Sequence, residues 1–334
     1  MSGQLVAVLA VIGAAMVFDY TNGFHDAANA IATSVSTRAL TPRVALAMAA
    51  VGNFIGTHLG AKVATTVGSG LVTLPVGRSS LGIVLAGVLG AIAWNLLTWY
   101  FGLPSSSSHA LFGGLVGATL AGSGTVIWGG ILHKVIVPMV ASPLIGFGLG
   151  FLVMLAILWG FRNGQPAKLN RGFRWAQSIS AAFMSVGHGL QDAAKTIGII
   201  VLALYVGGYQ KDAHSIPQWA YWTSATVLAL GTYAGGWRII RTLGRKIIDL
   251  KPPEGFAAET VASSILFIFG IALGAPISTT HTITSAIMGV GATKRLSAVR
   301  WGVAGNIVVA WICTFPAAGL FACLAYFAVR PLFT

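Results

Sequence analysis

Long apolar runs separated by short polar interruptions make up this chain. The runs cover residues 5–18, 44–55, 81–101, 135–161, 197–206, 219–233, 261–273 and 299–329. Runs of this kind, with hardly a charge inside them, predict membrane helices. No basic residue precedes the first run and no small-residue cleavage site follows it, which predicts a retained helix and not a removed leader. The polar interruptions come in ordered pairs. Asn22-Gly-Phe-His-Asp26-Ala-Ala-Asn29 is answered by His188-Gly-Leu-Gln-Asp192-Ala-Ala-Lys195, and Leu103-Pro-Ser-Ser-Ser-Ser-His109 by Ala275-Pro-Ile-Ser-Thr-Thr-His281. A third pair sets Trp128, Ser142, Pro143 and Gly146 against Trp301, Phe315, Pro316 and Gly319. Asp26 and Asp192 are 166 residues apart, Pro104 and Pro276 are 172 apart, and Trp128 and Trp301 are 173 apart. Three blocks in one order at nearly one offset are an internal duplication.

Composition sharpens this reading. Of the 334 residues, 56% are hydrophobic and 8% charged, and the mean hydropathy is +0.82. A soluble domain carries about 25% charged residues, so this chain cannot cover a water-facing surface and reads as an all-α polytopic membrane protein. The 43 glycines suit close helix packing and helix breaks in lipid. The net charge of +13 does not indicate a nucleic-acid partner, because cytoplasmic loops of membrane proteins collect Lys and Arg. Cys313 and Cys323 are ten residues apart in one apolar run. A helix would hold them too far apart to bridge, so they say nothing about redox compartment.

The basic residues orient the chain. With the loops around 162–174 and 238–251 placed inside, the second half parses into segments 175–207, 219–236, 256–275, 277–293 and 299–329. The first half parses into 4–36, 44–70, 81–101, 105–122 and 126–160. Fourteen Lys and Arg then fall in inner loops and three, Arg78, Lys211 and Arg330, in outer ones. The bias predicts both termini outside. Five crossings per repeat is odd, so the two repeats are inverted, with a site at mid-depth where they meet. The expected organisation is a first transmembrane repeat at 1–161, a basic cytoplasmic linker at 162–174 and a second, inverted repeat at 175–334. Segments 4–36 and 175–207 each contain a polar, glycine-bearing stretch that predicts a helix break. Segments 105–122 and 277–293 are short and begin with Pro and hydroxyls, which predicts discontinuous or re-entrant helices lining a buried cavity.

Of seven acids, Asp19, Asp26, Asp192 and Glu259 fall in membrane segments, where an ionisable side chain is a functional candidate. Asp26 and Asp192 recur at matching repeat positions beside Asn29 and Lys195. Pro104 and Pro276 suit a first helical turn. They would put Ser105, Ser106, Ser107 and Ser108, and Ser278, Thr279 and Thr280, at helix N-termini. Such ends offer free N–H groups and a positive dipole to an oxyanion. Carboxylates beside a phosphate-like dianion repel it strongly at low dielectric, so a cation or proton must enter with the anion. That argues for coupled transport and against a passive pore. His25, His109 and His281 add groups that titrate near neutrality.

At these residues the chain resembles the inorganic phosphate transporter (PiT) family. The resemblance rests on Gly23-Phe-His-Asp26-Ala-Ala-Asn29, Gly189-Leu-Gln-Asp192-Ala-Ala-Lys195, the Pro-to-His elements at 104–109 and 276–281, the Trp128, Lys134, Ser142, Pro143 stretch and the glycine motif at 231–236. It covers essentially the whole chain. It implies a secondary transporter for inorganic phosphate in a plasma (inner) membrane, with an inverted-repeat fold and often a homodimer. Sodium-coupled members carry Asn-Asp-x-x-Asn in both repeats. Here His25 and Gln191 precede the aspartates and Lys195 replaces the second Asn. That pattern resembles bacterial members that are proton-coupled and accept a metal–phosphate complex. Some family members carry sulfate, and the long central hydrophilic insert of eukaryotic members is missing.

The expected roles are these. Ser105–Ser108 and Ser278–Thr280 bind phosphate oxygens. Asp26, Asn29, Asp192, Lys195 and Asn22 handle the coupling cation, H+ or alternatively Na+. His25, His109, His281, Lys134 and Glu259 are secondary candidates. No cofactor is expected, although a divalent metal could travel with phosphate. Two rival classes remain in view: an anion channel, which would conduct without a coupling ion, and an intramembrane Ser–His–Asp hydrolase. Mirrored Ser-rich runs suit a pseudo-symmetric transport site better than a single nucleophile, so no enzymatic chemistry is expected.

Overall fold

The computed structural model describes residues 2–333. Residues 1 and 334, on which the expected outside placement of the termini bears, lie outside the described residues. In chain order the helices are α1 (Gly3–Ser36), α2 (Pro42–Thr57), α3 (Ala61–Ser69), α4 (Arg78–Phe101), α5 (Ser107–Ala121), α6 (Trp128–Ile131), α7 (Val137–Gly160), α8 (Pro166–Val206), α9 (Gln218–Ala234), α10 (Trp237–Arg241), α11 (Pro252–Phe267), α12 (Thr279–Ala292) and α13 (Trp301–Val329). A π-turn at Leu132–Ile136 joins α6 to α7, and another, Ile268–Ala272, extends α11. The two-residue strands Val72–Thr73 and Thr125–Val126 pair antiparallel at one end of the bundle. Six helices are long and apolar enough to cross a membrane, or up to seven spans if the bent pair α2–α3 is one, with a 68° bend.

Local chemistry sets several boundaries. Pro42, Pro166 and Pro252 open α2, α8 and α11, where a missing N–H is harmless and φ is already helical. Glu254 accepts from the backbone N–H of Lys251 at the start of α11. Ser106 caps α5 by accepting from His109 N at 3.2 Å, and Ser278 caps α12 by accepting from His281 N at 3.2 Å.

The duplication is visible in three dimensions. α1 packs on α9 as α8 packs on α2, and α1 packs on α4 as α8 packs on α11. α4–α5 and α11–α12 are hairpins. The outer ends of α4 and α5 meet, where a Cβ on Gly122 would stand 2.6 Å from Ile83 Cδ1. The outer ends of α11 and α12 meet at the Lys294–Glu254 ion pair, 2.7 Å. The tips point inward from opposite ends of the bundle and touch: Ser108 Oγ donates to Ile277 O at 3.3 Å. The last helix of each repeat lies on the hairpin of the other, α13 on α5 and α7 on α12. Glycines permit that approach, since a Cβ on Gly117 would meet Gly319 O at 2.2 Å and one on Gly289 would meet Phe147 O at 2.0 Å. Small residues at such crossings let backbones come close where lipid supplies no hydrophobic drive.

Three sequence-based expectations change. Two of the five segments per repeat are hairpin legs turning at the depth of the site, which leaves three full crossings. Three is odd, as five is, so the inverted orientation stands. The expected breaks in segments 4–36 and 175–207 are absent, because α1 and α8 are continuous over 34 and 41 residues. Gly23 and Gly189 serve close packing instead. A Cβ on Gly23 would stand 2.7 Å from Leu228 O, and one on Gly189 would stand 2.2 Å from Asn53 O. The linker at 162–174 is helical from Pro166 onward, as the first turns of α8.

The apolar core falls into two clusters with a polar layer between them. One holds Val8, Val11 and Phe18 of α1 with Ile197, Ile200 and Val206 of α8. The other holds Ala28, Ile31 and Ala32 of α1 with Met184 of α8. Residues 19–26 of α1 and 188–192 of α8 lie between these clusters.

Candidate functional site

The site forms where both hairpin tips meet the middles of α1 and α8. Asp26, Asn29, Asp192, Lys195, Ser105–Ser108 and Ser278–Thr280 are all at most 2% exposed, so the arrangement is occluded from both ends. Asp192 is the hub. Its Oδ1 is 2.5 Å from Lys195 Nζ and its Oδ2 is 2.9 Å from His188 Nε2, and Thr279 Oγ1 donates to Oδ2 at 3.3 Å. Lys195 also donates to Ser108 Oγ on the opposite tip and to Ile277 O at 3.3 Å. The ammonium therefore ties α8 to both hairpins.

The other half is built on α1. Thr280 Oγ1 donates to Asp26 Oδ1 at 3.5 Å. Asn29 Nδ2 donates to Thr279 Oγ1 at 3.1 Å and to Thr280 Oγ1 at 2.9 Å. His25 Nδ1 is 2.6 Å from Asp26 Oδ1, and His25 Nε2 lies 3.0 Å from Thr98 Oγ1 and 3.3 Å from Ser105 Oγ. Asp26, His188 and Asp192 each bring one ligand atom within 4.8 Å of the others. Ser107 Oγ and Asn29 Oδ1 are buried with no hydrogen-bond partner among the described residues. One uncommitted donor and one uncommitted acceptor thus stand among the buried hydroxyls and carboxylates.

A family model for the Phosphate transporter family matches residues 22–168 and again 161–322, once for each repeat. The chain belongs to the phosphate transporter family. It is a membrane transport protein, and no covalent chemistry is asked of its serines. A Rhizobium meliloti (strain 1021) protein described as a probable low-affinity inorganic phosphate transporter is 49% identical over 96% of both chains. A Bacillus subtilis (strain 168) protein of the same description is 42% identical over 98% of this chain and 99% of its own. The solved structure titled "The sodium-dependent phosphate transporter" superposes with a TM-score of 0.85 at 24% identity, covering 98% of this chain and 99% of that one. That likeness shows the fold.

Within this phosphate transporter, most expected residues converge and some do not. Lys134 is exposed on the π-turn before α7, with its Nζ beside Gly70; it lies at the rim and not in the site. Glu259 is buried in a separate cluster. Its carboxylate accepts from Ser180 Oγ at 2.6 Å, from Gln177 Nε2 at 3.2 Å and from Thr33 Oγ1. Thr33 stands seven residues past Asp26 on α1, roughly 10 Å along the axis. Asn22 is buried one turn from Asp26, and neither of its amide atoms has a partner among the described residues. The rings of His109 and His281 meet at a tilt, 4.7 Å between centroids, and Trp311 stacks on His281 at 4.0 Å. Trp311 Nε1 also donates to Pro104 O at 3.0 Å, so these rings brace the two tips. Asp19 accepts from Ser224 Oγ at 2.5 Å, away from the hydroxyl tips.

Sequence reasoning passed over His188, Asn53 and Thr98. His188 was the most accessible of them, because it opens the second copy of the motif where Asn22 opens the first. Asn53 and Thr98 lie on other helices with no motif around them, so only packing reveals them. Replacing Thr279 and Thr280 with Val keeps the volume and removes both hydroxyls. Phosphate affinity in the purified protein should then weaken about tenfold or more, since each hydrogen bond to a charged group contributes about 1.5–3 kcal/mol. Calorimetry reads this directly, and unchanged affinity would reduce the two hydroxyls to helix caps.

Proposed function

We propose that this phosphate transporter is a proton-coupled symporter that imports inorganic phosphate, and that a divalent cation can enter beside the anion. The observation that carries the reading is Lys195. Its ammonium, 2.5 Å from Asp192 Oδ1, occupies the position that Asn29 holds in the other repeat. An Asn can coordinate sodium through its carbonyl; an ammonium has no lone pair and brings its own charge. One of the two pseudo-symmetric cation positions therefore has a built-in cation.

A coupling proton is supported by the histidines beside the two aspartates. Asn53 Nδ2 donates to Thr232 Oγ1 at 2.7 Å, which turns Asn53 Oδ1 toward His188 Nδ1 at 2.9 Å. That oxygen only accepts, so His188 carries hydrogen on Nδ1. Its Nε2 lies 2.9 Å from Asp192 Oδ2 and has no other partner among the described residues, so a proton can pass between the two. In the other repeat His25 Nδ1 is 2.6 Å from Asp26 Oδ1. Each carboxylate thus has an imidazole that can share a proton.

For a divalent cargo ion, two carboxylates and one imidazole from Asp26, Asp192 and His188 form a mixed oxygen and nitrogen set of the kind such ions accept. Carboxylates also favour phosphate over sulfate, because a protonated phosphate oxygen can donate to them and sulfate has no such proton at neutral pH. A sodium-coupled reading keeps one observation of its own: Asp26, Asn29 Oδ1 and the hydroxyls of Thr279 and Thr280 form an all-oxygen set on the first-repeat side. Labelled-phosphate uptake in proteoliposomes, with sodium, pH and magnesium varied singly and sulfate as competitor, separates these readings. An anion channel would carry phosphate without any of the three.

The membrane is taken to be the plasma (inner) membrane, with the basic loops inside. A tag at either terminus should be reached by an impermeant reagent from outside intact cells, and one at Gly164 only after permeabilisation. Labelling of the N-terminal tag only after permeabilisation would overturn that orientation. A homodimer remains an expectation of the family resemblance, to be read from the mass of the detergent-purified protein.

A further inference from the structure

Two turns of this molecule share one backbone pattern, and one of them puts a non-glycine residue in its left-handed position. After α1, Ala39 N bonds Ser34 O at 2.9 Å, Arg38 N bonds Val35 O at 3.2 Å and Leu40 N bonds Ser34 O at 3.2 Å. After α8, Tyr209 N bonds Leu204 O at 2.9 Å, Gly208 N bonds Tyr205 O at 3.0 Å and Gln210 N bonds Leu204 O at 3.2 Å. This is the duplicated helix-ending turn, which places one residue in the left-handed region. In the second repeat that residue is Gly208 at φ +73°, and in the first it is Arg38 at φ +59°. Among the described residues no other non-glycine residue has a positive φ. A side chain there crowds its Cβ against the following carbonyl oxygen. The turn forms with glycine in the duplicate, so the turn does not require arginine. Membrane orientation does not require it either, because a charge at position 39 or 40 would serve equally well without a left-handed residue. A strained residue that the fold does not need points to a role for its side chain.

Arg38 lines a surface cavity of about 460 Å³ with Leu40, Arg171, Arg174, Trp175 and Ser178. The backbone turn after α1 supplies one guanidinium, and α8 supplies two, three residues apart on one face. Among the described residues none of the three arginines has an ion-pair partner. Directly along α8 from the cavity, Trp175, Ile179 and Phe183 are 75%, 59% and 58% exposed. Their four-residue spacing makes one apolar stripe, capped by an indole of the kind that sits at a membrane–water interface.

We propose that this cavity binds the phosphate headgroup of an anionic phospholipid, with the acyl chains lying along Trp175, Ile179 and Phe183. Three unpaired guanidinium groups match a phosphodiester, and basic pockets between membrane helices are suited to such headgroups. A free phosphate shares the headgroup chemistry. The continuous apolar stripe below the arginines selects the lipid, since a free anion has nothing to place there.

The test uses the full chain in a neutral detergent. Short-chain phosphatidylglycerol is titrated in and the thermal midpoint is followed. Arg38→Gly reproduces the residue of the duplicate turn, so it removes the guanidinium and keeps the backbone. Without added lipid its midpoint should equal or exceed that of the wild type. With phosphatidylglycerol, Arg38→Gly and the double variant Arg171→Gln/Arg174→Gln should each need about fivefold more lipid, or more, for the same rise. Phosphatidylcholine of equal chain length should not separate the variants from the wild type. Inorganic phosphate should raise all of them equally, by way of the transport site. Equal responses of wild type and Arg38→Gly to phosphatidylglycerol would overturn the proposal. So would a lower midpoint of Arg38→Gly without lipid, which would make Arg38 a structural residue. A wild-type advantage that inorganic phosphate alone produces would assign the cavity to a free anion and reject the lipid.

Discussion

Asp26→Asn and Asp192→Asn should each abolish coupled phosphate uptake, with accumulation in reconstituted vesicles falling about 100-fold or more. The reason is charge. When all are ionised, Asp26, Asp192 and Lys195 carry one net negative charge in a site no more than 2% exposed. A phosphate dianion brings that to three, and like charges at these separations repel strongly at low dielectric. Entry therefore requires protons or a cation, and the imidazoles at 2.6 Å from Asp26 and 2.9 Å from Asp192 are where shared protons can sit. An Asn in either position removes the carboxylate that makes its histidine a proton acceptor, and so uncouples the anion from its driving ion. The two variants should differ in stability. Asp192→Asn strands Lys195 without its counter-charge, and breaking a buried ion pair on one side is strongly destabilising. Asp26→Asn leaves no stranded ammonium, and only His25 and Thr280 have to adjust. The thermal midpoint should fall clearly for Asp192→Asn and little for Asp26→Asn. Near-normal uptake by either variant, once membrane insertion is verified, would remove that carboxylate from the mechanism.

Lys195→Asn should change the coupling ion. In the wild type, uptake should be indifferent to sodium and rise as external pH falls, within the range set by phosphate speciation. The variant restores a side-chain carbonyl where the ammonium stood 2.5 Å from Asp192 Oδ1. It also releases Ser108 Oγ and Ile277 O, both of which Lys195 holds. The second repeat would then offer a carboxylate, an amide oxygen and the Thr279 hydroxyl, an all-oxygen set suited to a hard cation. Proton-driven uptake should fall about tenfold or more, the effect of losing a buried charged hydrogen bond, and sodium stimulation should appear. The decisive measurement is uptake with sodium stepped at fixed pH and membrane potential. Strong sodium stimulation of the wild type would show that Lys195 does not stand in for a bound cation.

Much of this was legible in the chain. The offset of Asp26 from Asp192, close to that of Pro104 from Pro276, contained the duplication. The Lys and Arg bias and the odd number of segments contained the inversion. Pro followed by hydroxyls contained the helix starts to within a turn: the helices begin at Ser107 and Thr279, capped by Ser106 and Ser278, so Pro104 and Pro276 precede the caps and do not lie in the first turn as expected. These are properties of residue type and local spacing, and capping, proline geometry and charge sidedness act over a few residues. Tertiary structure alone decided the rest. Periodicity cannot distinguish a leg that crosses the membrane from one that turns back at mid-depth, because lipid and a neighbouring helix are equally apolar. The short Pro-and-hydroxyl segments 105–122 and 277–293 did read as re-entrant, but the pairing of α5 with α4 and of α12 with α11, and the exchange that lays α13 on α5 and α7 on α12, come from packing. The same holds for Gly23 and Gly189, which look like helix breaks in sequence and are packing contacts in space. It holds for Lys134 and Glu259, whose residue types suit a site that these two side chains do not reach. It holds most for His188, whose neighbours Asn53, 135 residues away, and Asp192, one turn away, together orient its ring; that orientation, and not the residue type, makes it a candidate for the proton.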